Sequence, residues 1–187
     1  IGLYQNMIKD HKENGTSYKN VVTFNLDEYI GLKRDHSQTY WTFMHENLFN
    51  GLDIPEENVH VPVGDSEDEE AECAKYEKAM ENYQVDIQLL GIGANGHIGF
   101  NEPLSSLNSR TRAKALTPET YEQNAPLFDK PEDMPMRAFT MGVGTIMDAK
   151  SVILLVTGAE KAQILKKAVE GPVTSMISAT ALQYHNK

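Results

Sequence analysis

Short apolar runs alternate along the chain with longer amphipathic segments, and this alternation predicts strands separated by helices. Residues 21–25, VVTFN, form a β-branched run typical of a strand, and a second, brief strand is expected at residues 60–63. Residues 85–93 and 151–158 are nearly all apolar and end in glycine. Such runs are typical of strands that are buried on both faces of a parallel sheet. We therefore predict that these strands form a largely buried sheet.

The segments between these strands carry helix signals. Residues 37–50 fit a helix with Ser37 as its N-cap, and the charged residues 66–83 fit a surface helix. Ser66 and Glu69 have the spacing of a capping box at the start of that helix. The last strand is followed at once by AEKAQILKKAVEG, a helical pattern that ends at a Gly-Pro pair.

The order of strand, glycine turn and helix recurs, which favours right-handed crossovers between parallel strands. The predicted fold class is therefore α/β, with a doubly wound, mostly parallel sheet and helices on both faces, similar to a Rossmann fold. Ligands bind at the carboxyl ends of the strands in such sheets. A site is therefore expected in the loops after Asn25, Gly91 and Thr157.

Composition narrows the function classes. The 187 residues are 40% apolar and 24% charged, which is ordinary for one globular domain. A formal net charge of -10, without a basic stripe, disfavours nucleic acid as a partner. One cysteine, Cys73, cannot form an intrachain disulfide or a cysteine metal site, and it fits a reducing compartment. No apolar run approaches the roughly 18 residues of a membrane span, so we expect a cytoplasmic protein with no membrane partner.

Two adjacent carboxylates follow the first predicted strand. Asp27 and Glu28 lie in the segment NLDEYIGL, at the end of the strand. Neighbouring carboxylates raise each other's pKa, which can make one of them a base near neutral pH. The alternative is that they cap a helix or solvate a loop.

The loop after the third predicted strand, GIGANGHIGFNEP, combines close glycines with polar side chains. Glycines let backbone N–H groups approach a ligand. Asn95, His97 and Glu102 lie within eight residues of one another. An imidazole with an amide and a carboxylate in reach has the groups that an oriented proton shuttle needs. A purely structural histidine is the alternative.

Two further groups suit an anion. The segment SSLNSRTRAK places Arg110, Arg112 and Lys114 at alternating positions, downstream of serines that include Ser105. Cations and hydroxyls together favour a phosphate, although a solvated basic strand or loop has the same composition. Lys161 lies in the first turn of the last helix, where a strand-to-helix turn can bind an anion. The alternative for Lys161 is an ordinary surface position.

The motifs TFNLDEY, GIGANGHIGFNEP, SRTR and TMGVGTIMDAKSVILLVTGAEKA, in this order, resemble the glucosamine-6-phosphate deaminase/isomerase family over nearly the whole chain. The related phosphogluconolactonases share the fold and the glycine turn but differ after the histidine of HIGFNEP. The resemblance implies isomerisation and deamination of glucosamine 6-phosphate to fructose 6-phosphate and ammonia in amino-sugar catabolism. Such a reaction needs proton transfers and no metal or organic cofactor.

The resemblance also implies roles for matched residues. Asp27 would move a proton between the first two sugar carbons, His97 would open the pyranose ring with support from Glu102 and Asn95, and Lys161 would hold the substrate phosphate. In hexameric members, the segment with Ser105, Arg112 and Lys114 forms a site for the activator N-acetylglucosamine 6-phosphate between subunits. Other members are unregulated and form smaller assemblies, so a homo-oligomer and this effector are both open possibilities.

Three features depart from the family pattern. Many members carry aspartate at the position of Asn95, and an amide can orient His97 but cannot take up a proton. Many members also carry a phosphate-binding arginine near Pro126, which this chain lacks. The family's phosphate loop would precede Ile1, and both ends of the sequence have helical patterns. We therefore expect residues 1–187 to be a single α/β domain without that loop and without its C-terminal end.

Two alternative functions share the fold. A phosphosugar lactonase would hydrolyse a ring with water and would release no ammonia. A sugar-phosphate-sensing domain of a transcriptional regulator would bind the same ligands without turnover. The combination of Asp27, His97 and Glu102 favours an enzyme over the sensing domain.

Overall fold

The strands form two parallel pairs and one antiparallel triplet in the computed structural model, which describes residues 1–187. In chain order they are β1 (Thr23–Phe24), β2 (Asp27–Tyr29), β3 (Val59–His60), β4 (Ile87–Leu90), β5 (Arg112–Ala115), β6 (Arg137–Thr140) and β7 (Ser151–Leu154). β1 pairs with β3 and β4 with β7 in parallel, whereas β2, β6 and β5 lie side by side in antiparallel order. The parallel pairs with helices between them confirm the α/β, Rossmann-like fold class.

Six α-helices connect the strands: α1 (Gly2–Asn14), α2 (Tyr40–Asn47), α3 (Glu69–Glu81), α4 (Pro118–Asn124), α5 (Val143–Met147) and α6 (Ala162–Glu170). Short 3₁₀ turns flank several of them, and a longer 3₁₀ segment covers Ser178–Tyr184. The last helix ends at its C-cap Gly171, as predicted. No helix has the combined length and apolarity needed to cross a membrane.

The predicted N-caps of two helices are wrong. α2 starts at Tyr40 with Thr39 as N-cap, because the Thr39 hydroxyl accepts the Thr42 N–H and the residues from Ser37 lie before the helix. α3 starts at Glu69 with Asp68 as N-cap, because the Asp68 carboxylate accepts the Ala71 N–H. A carboxylate at the N-cap also complements the helix dipole.

The antiparallel triplet was not predicted. β5 is half-buried along its length and β2 is a strand of three residues, so neither shows a clear apolar period. Register in the triplet places both Asp27 and Arg112 opposite Thr140 of β6. The triplet therefore brings two polar segments that are distant in sequence to one central strand.

The side chains of the parallel strands β4 and β7 are less buried than predicted. Leu90 is 2% exposed and packs into the largest apolar cluster, together with Ile98, Met141 and Ile146. Ile153, in contrast, is 44% exposed. Ile87 of β4 is 61% exposed as well, so the prediction of burial on both faces is wrong for both strands. The buried face still fixes the carboxyl end of β4, which leads directly into the glycine-rich turn.

Candidate active site

The glycine-rich turn after β4 fixes the position of His97. The Gly93 N–H donates to the His97 carbonyl at 2.8 Å, and Gly96 adopts a left-handed conformation with φ of +88°. A Cβ atom at Gly93 would overlap the imidazole ring of His97. The missing side chain of Gly93 is thus what lets the ring lie against the turn.

Glu102 and Asn95 hold His97 as the sequence predicted from their proximity. His97 Nδ1 lies 3.1 Å from Glu102 Oε2, the Asn95 amide donates to the same oxygen at 2.9 Å, and Asn95 Oδ1 accepts the His97 N–H at 3.1 Å. Glu102 is 3% exposed. Burial alone would raise the pKa of Glu102, but hydrogen bonds from His97, Thr120 and Asn95 outweigh it and lower this pKa to about 2.

This arrangement decides which nitrogen of the neutral imidazole carries the proton. An ionised Glu102 can only accept hydrogen bonds, so the neutral ring of His97 carries its proton on Nδ1. Its Nε2 has no hydrogen-bond partner in the protein and is free to accept a proton from a ligand. The group therefore has the geometry of a general base whose orientation is fixed by a carboxylate.

Two threonines complete the surroundings of Glu102, and sequence reasoning missed both. The hydroxyls of Thr117 and Thr120 donate to Glu102 Oε1, the former at 3.1 Å. Thr117 is also the N-cap of α4. The available signal was the T-P-E-T pattern, in which a threonine precedes a proline at the start of a helix.

Asp27 lies at the edge of the same loop. Thr140, the partner of Asp27 in β6, accepts the Phe100 N–H at 3.0 Å, and Asp27 Oδ2 would lie 3.9 Å from a Cβ at Gly99. The residue is partly exposed, but removal of its carboxyl from water, together with the charge of Glu28, raises the pKa of Asp27 to about 7. A carboxyl with this pKa can act as a base at neutral pH.

Glu28 has a different environment from its neighbour. Its carboxylate is 2% exposed and accepts the backbone N–H groups of Tyr29, Tyr40 and Trp41 at 2.8, 3.0 and 3.0 Å. Two of these donors belong to the first turn of α2, so Glu28 caps that helix. The helix-cap alternative therefore holds for Glu28, whereas the carboxyl of Asp27 makes no such contacts.

Asn101 fixes the loop between His97 and Glu102, and the sequence analysis did not single it out. Its amide donates to the carbonyls of Ile98 and Met141, each at 2.8 Å, and the residue is 0% exposed. Its Oδ1 accepts a hydrogen bond from Arg112 at 2.7 Å. Arg112 is therefore tied to the loop that carries His97 and Glu102, and burial lowers the pKa of its guanidinium.

The remaining predicted anion ligands have different surroundings. Arg110 pairs with Glu77 at 2.7 Å and with Asp148 at 2.6 Å, so its charge is already neutralised. Ser105 is buried and its hydroxyl has no hydrogen-bond partner. Lys114 lies opposite Ala138 in the antiparallel triplet.

Lys161 lies beside the glycine-rich turn. Its ammonium donates to the Ile92 carbonyl at 3.1 Å, directly after β4. Pro126 lies in a 3₁₀ turn after α4. No group of three or more His, Cys, Asp or Glu side chains is arranged as metal ligands would be.

Comparison with known proteins gives a consistent result. A family model described as glucosamine-6-phosphate isomerases/6-phosphogluconolactonase matches residues 1–187. Glucosamine-6-phosphate deaminases of Cellvibrio japonicus and Treponema denticola are 50% and 49% identical to the chain, which they match over 100% of its length. The chain covers 72% and 70% of those two proteins.

Solved structures separate two groups of relatives. A monomeric glucosamine-6-phosphate deaminase has a TM-score of 0.96 and 40% identity, over 100% of this chain and 78% of that one. A 6-phosphogluconolactonase of Thermotoga maritima has a TM-score of 0.72 and 20% identity, over 96% of this chain and 74% of that one. At that identity, the lactonase likeness concerns the fold alone.

Proposed function

This chain belongs to the family of glucosamine-6-phosphate isomerases and 6-phosphogluconolactonases, and we propose that the cluster around His97 and Asp27 is its active site. The chain is an enzyme of amino-sugar metabolism that deaminates glucosamine 6-phosphate to fructose 6-phosphate and ammonia. The single observation that carries the site proposal is the pairing of His97 with the ionised, buried Glu102 in a loop whose Gly99 lies next to Asp27, a carboxyl with a pKa of about 7.

His97 performs the ring opening in this proposal. Its free Nε2 takes the proton of the sugar's anomeric hydroxyl as the C1 aldehyde forms, and the bond from C1 to the ring oxygen breaks. The ring oxygen then takes that proton from the imidazolium and becomes the C5 hydroxyl. Glu102 stabilises the imidazolium that results, because its carboxylate lies 3.1 Å from Nδ1. Asn95 links the Glu102 carboxylate to the His97 backbone through two hydrogen bonds, and it takes up no proton itself.

Asp27 performs the isomerisation. It removes the proton from C2 of the open chain and returns it to C1, while one N–H proton of the C2 amine passes to the aldehyde oxygen. C1 thereby becomes a hydroxymethyl group and the C2 amine becomes an imine. Addition of water to that imine releases ammonia and leaves the ketose phosphate. A base with a pKa of about 7 suits this step, because it is both substantially ionised and basic enough near neutral pH.

Lys161 binds the substrate phosphate in this proposal. Its present acceptor, the neutral Ile92 carbonyl, is a weaker partner for an ammonium group than a phosphate dianion is. Because this chain lacks the arginine that many members carry near Pro126, Lys161 contributes a larger share of the binding here.

Replacement of Asp27 by asparagine tests the assignment. Asp27→Asn should lower kcat on the order of 10² to 10⁴-fold, while binding of glucosamine 6-phosphate is retained. Ammonia release and substrate titration by calorimetry give the two readouts. Asp148→Asn is the matched control, since Asp148 is 66% exposed and pairs with Arg110. Near-normal turnover of Asp27→Asn would show that Asp27 is not the base.

A regulatory site for N-acetylglucosamine 6-phosphate is a second, finer proposal. It is supported by the buried, unpartnered hydroxyl of Ser105 and by Arg112, whose guanidinium contacts the Asn101 amide and no carboxylate, with Lys114 on the same strand as Arg112. Coupling of this kind typically amounts to about 1 to 3 kcal/mol. Substrate-saturation curves with and without the effector test it, and superimposed curves would contradict it. Determination of the molecular mass of the protein in solution, under the conditions of these saturation curves, tests whether activation requires a homo-oligomer.

A further inference from the structure

The carboxylate of Glu102 receives hydrogen bonds from two separate parts of the chain. Oε2 accepts from His97 and Asn95 of the glycine-rich loop, and Oε1 accepts from the hydroxyls of Thr117 and Thr120 at the start of α4. Thr120 is 4% exposed, so its side chain has little contact with water. Ring opening as described above uses only the Oε2 side and gives the two threonines no role.

We propose that Thr117 and Thr120 are positioning residues, which hold the Glu102 carboxylate ionised and oriented so that His97 keeps its proton on Nδ1. A hydroxyl that donates to a carboxylate favours the charged form over the protonated one. It also fixes the rotation of the carboxylate plane, because both oxygens are then held. This inference rests on the proposed role of His97 in catalysis.

The contacts at the start of α4 explain why two threonines are used. The Thr120 N–H donates to the Thr117 hydroxyl at 3.3 Å, so Thr117 caps the helix with its lone pair. The same hydroxyl lies 3.1 Å from both Glu102 Oε1 and Thr120 Oγ1, so its one proton holds Glu102 either directly or through Thr120. Tyr121, the next residue, packs against the apolar cluster that contains Tyr29 and Phe100. The first turn of α4 is thereby anchored to the core, and its hydroxyls have a defined place relative to Glu102.

Loss of one hydroxyl has a specific consequence. Without the Thr120 donor, Oε1 is a buried acceptor with fewer partners, and a buried, underbonded carboxylate gains by rotating or by taking up a proton. Either change weakens the acceptor that faces Nδ1 of His97. The ring then also populates the tautomer with its proton on Nε2, which cannot accept the proton of the sugar hydroxyl.

The test compares Thr120→Val with Thr120→Ser, because valine keeps the shape of threonine and serine keeps its hydroxyl. Thr120→Val should lower kcat for ammonia release roughly tenfold or more, with little change in KM, and Thr120→Ser should restore most of it. Nitrogen chemical shifts of the His97 ring should show only the Nδ1-protonated form in the parent and a mixture in Thr120→Val.

Thr145→Val is the matched control. The hydroxyl of Thr145 donates to Glu77 at 2.6 Å, a buried-threonine contact to a carboxylate outside the site. This variant should lower thermal stability and leave kcat and the His97 tautomer unchanged.

Two outcomes would overturn the inference. One is a folded Thr120→Val protein with the parent's kcat. The other is a loss of kcat in Thr120→Val with the parent's tautomer of His97, which would indicate a general packing role. The tautomer measurement needs no substrate, so it can support the positioning role even if the parent protein releases no ammonia. Absence of ammonia release would contradict the proposed function and not the positioning role.

Discussion

Glu102 and Glu77 have similar surroundings, but Glu102 belongs to the proposed active site and Glu77 to a structural link between distant segments. Both are largely buried carboxylates that accept threonine hydroxyls, and burial, which opposes ionisation, is outweighed by hydrogen bonds that lower the pKa of each. The second oxygen of Glu77 accepts from Arg110, which is always charged, whereas that of Glu102 accepts from His97, which can exchange a proton.

The difference shows what a set of donors around a carboxylate does and does not indicate. Several donors establish that the carboxylate stays ionised and fixed in place. They give no information on chemistry, because Glu77 uses them to join α3 to Thr111 and Thr145. The proton-exchanging partner, placed at the carboxyl end of β4, distinguishes the site from the structural link.

Replacement of each carboxylate by an amide should give the largest difference between the two regions, with a loss of activity at Glu102 and a loss of stability at Glu77. Glu102→Gln should lower kcat for ammonia release on the order of 10²-fold, because the imidazolium of His97 loses its anionic partner. Glu77→Gln should keep kcat and lose about 1 to 3 kcal/mol of unfolding free energy, since Arg110 and two threonines lose a charged acceptor. Ammonia assays and urea unfolding measure both. Equal losses of kcat in folded Glu102→Gln and Glu77→Gln would contradict the assignment of different roles to the two carboxylates.

A methyl group at the glycine turn sharpens the comparison within the Glu102 region. Gly93→Ala should lower kcat between about 10 and 10²-fold, because the added Cβ would displace the His97 ring from Glu102. Gly91→Ala is the control, since no atom lies within 4 Å of the Cβ it would add. Steady-state kinetics and circular dichroism of both variants check this. A Gly93→Ala enzyme with normal kcat would show that the position of the ring is not critical.

Asp27 should also give the activity a pH dependence. The base must be ionised, so kcat/KM should fall about tenfold per pH unit below the pKa of about 7 and level off above it. Asp27→Asn should abolish this dependence in whatever activity remains. An acid limb unchanged in Asp27→Asn would assign it to another group.

Stability should follow pH with opposite signs for the carboxyls. Since the folded-state pKa of Asp27 is raised from 3.8 to about 7, its burial costs stability increasingly as pH rises between these values, so Asp27→Asn should have the higher Tm at pH 8 and no advantage below about pH 4. The lowered pKa of Glu102, about 2 against 4.5, contributes stability above pH 4.5 that is lost as pH falls toward 2. Thermal unfolding across this range measures both trends.

Local sequence determined the parts of the molecule in which neighbours in the chain are also neighbours in space. The glycine turn, the group of Asn95, His97 and Glu102, and the stop of the last helix at Gly171 all follow from residues within one short segment. Continuous apolar runs also predicted the parallel strands β4 and β7, although these strands are not buried on both faces.

Only the tertiary structure decided which distant residues meet. Thr120 reaches Glu102 across 18 positions, Arg110 reaches Glu77 across 33, and Thr140 binds the Phe100 N–H across 40. The first pairing depends on α4, the second on α3 and the third on β6. The short segments of α4 and β5 carry no distinct apolar period. The sequence therefore contained the side chains of the proposed site and the local pairing of His97 with Glu102, whereas the packing of distant segments brought the threonines to Glu102 and the arginine to Glu77.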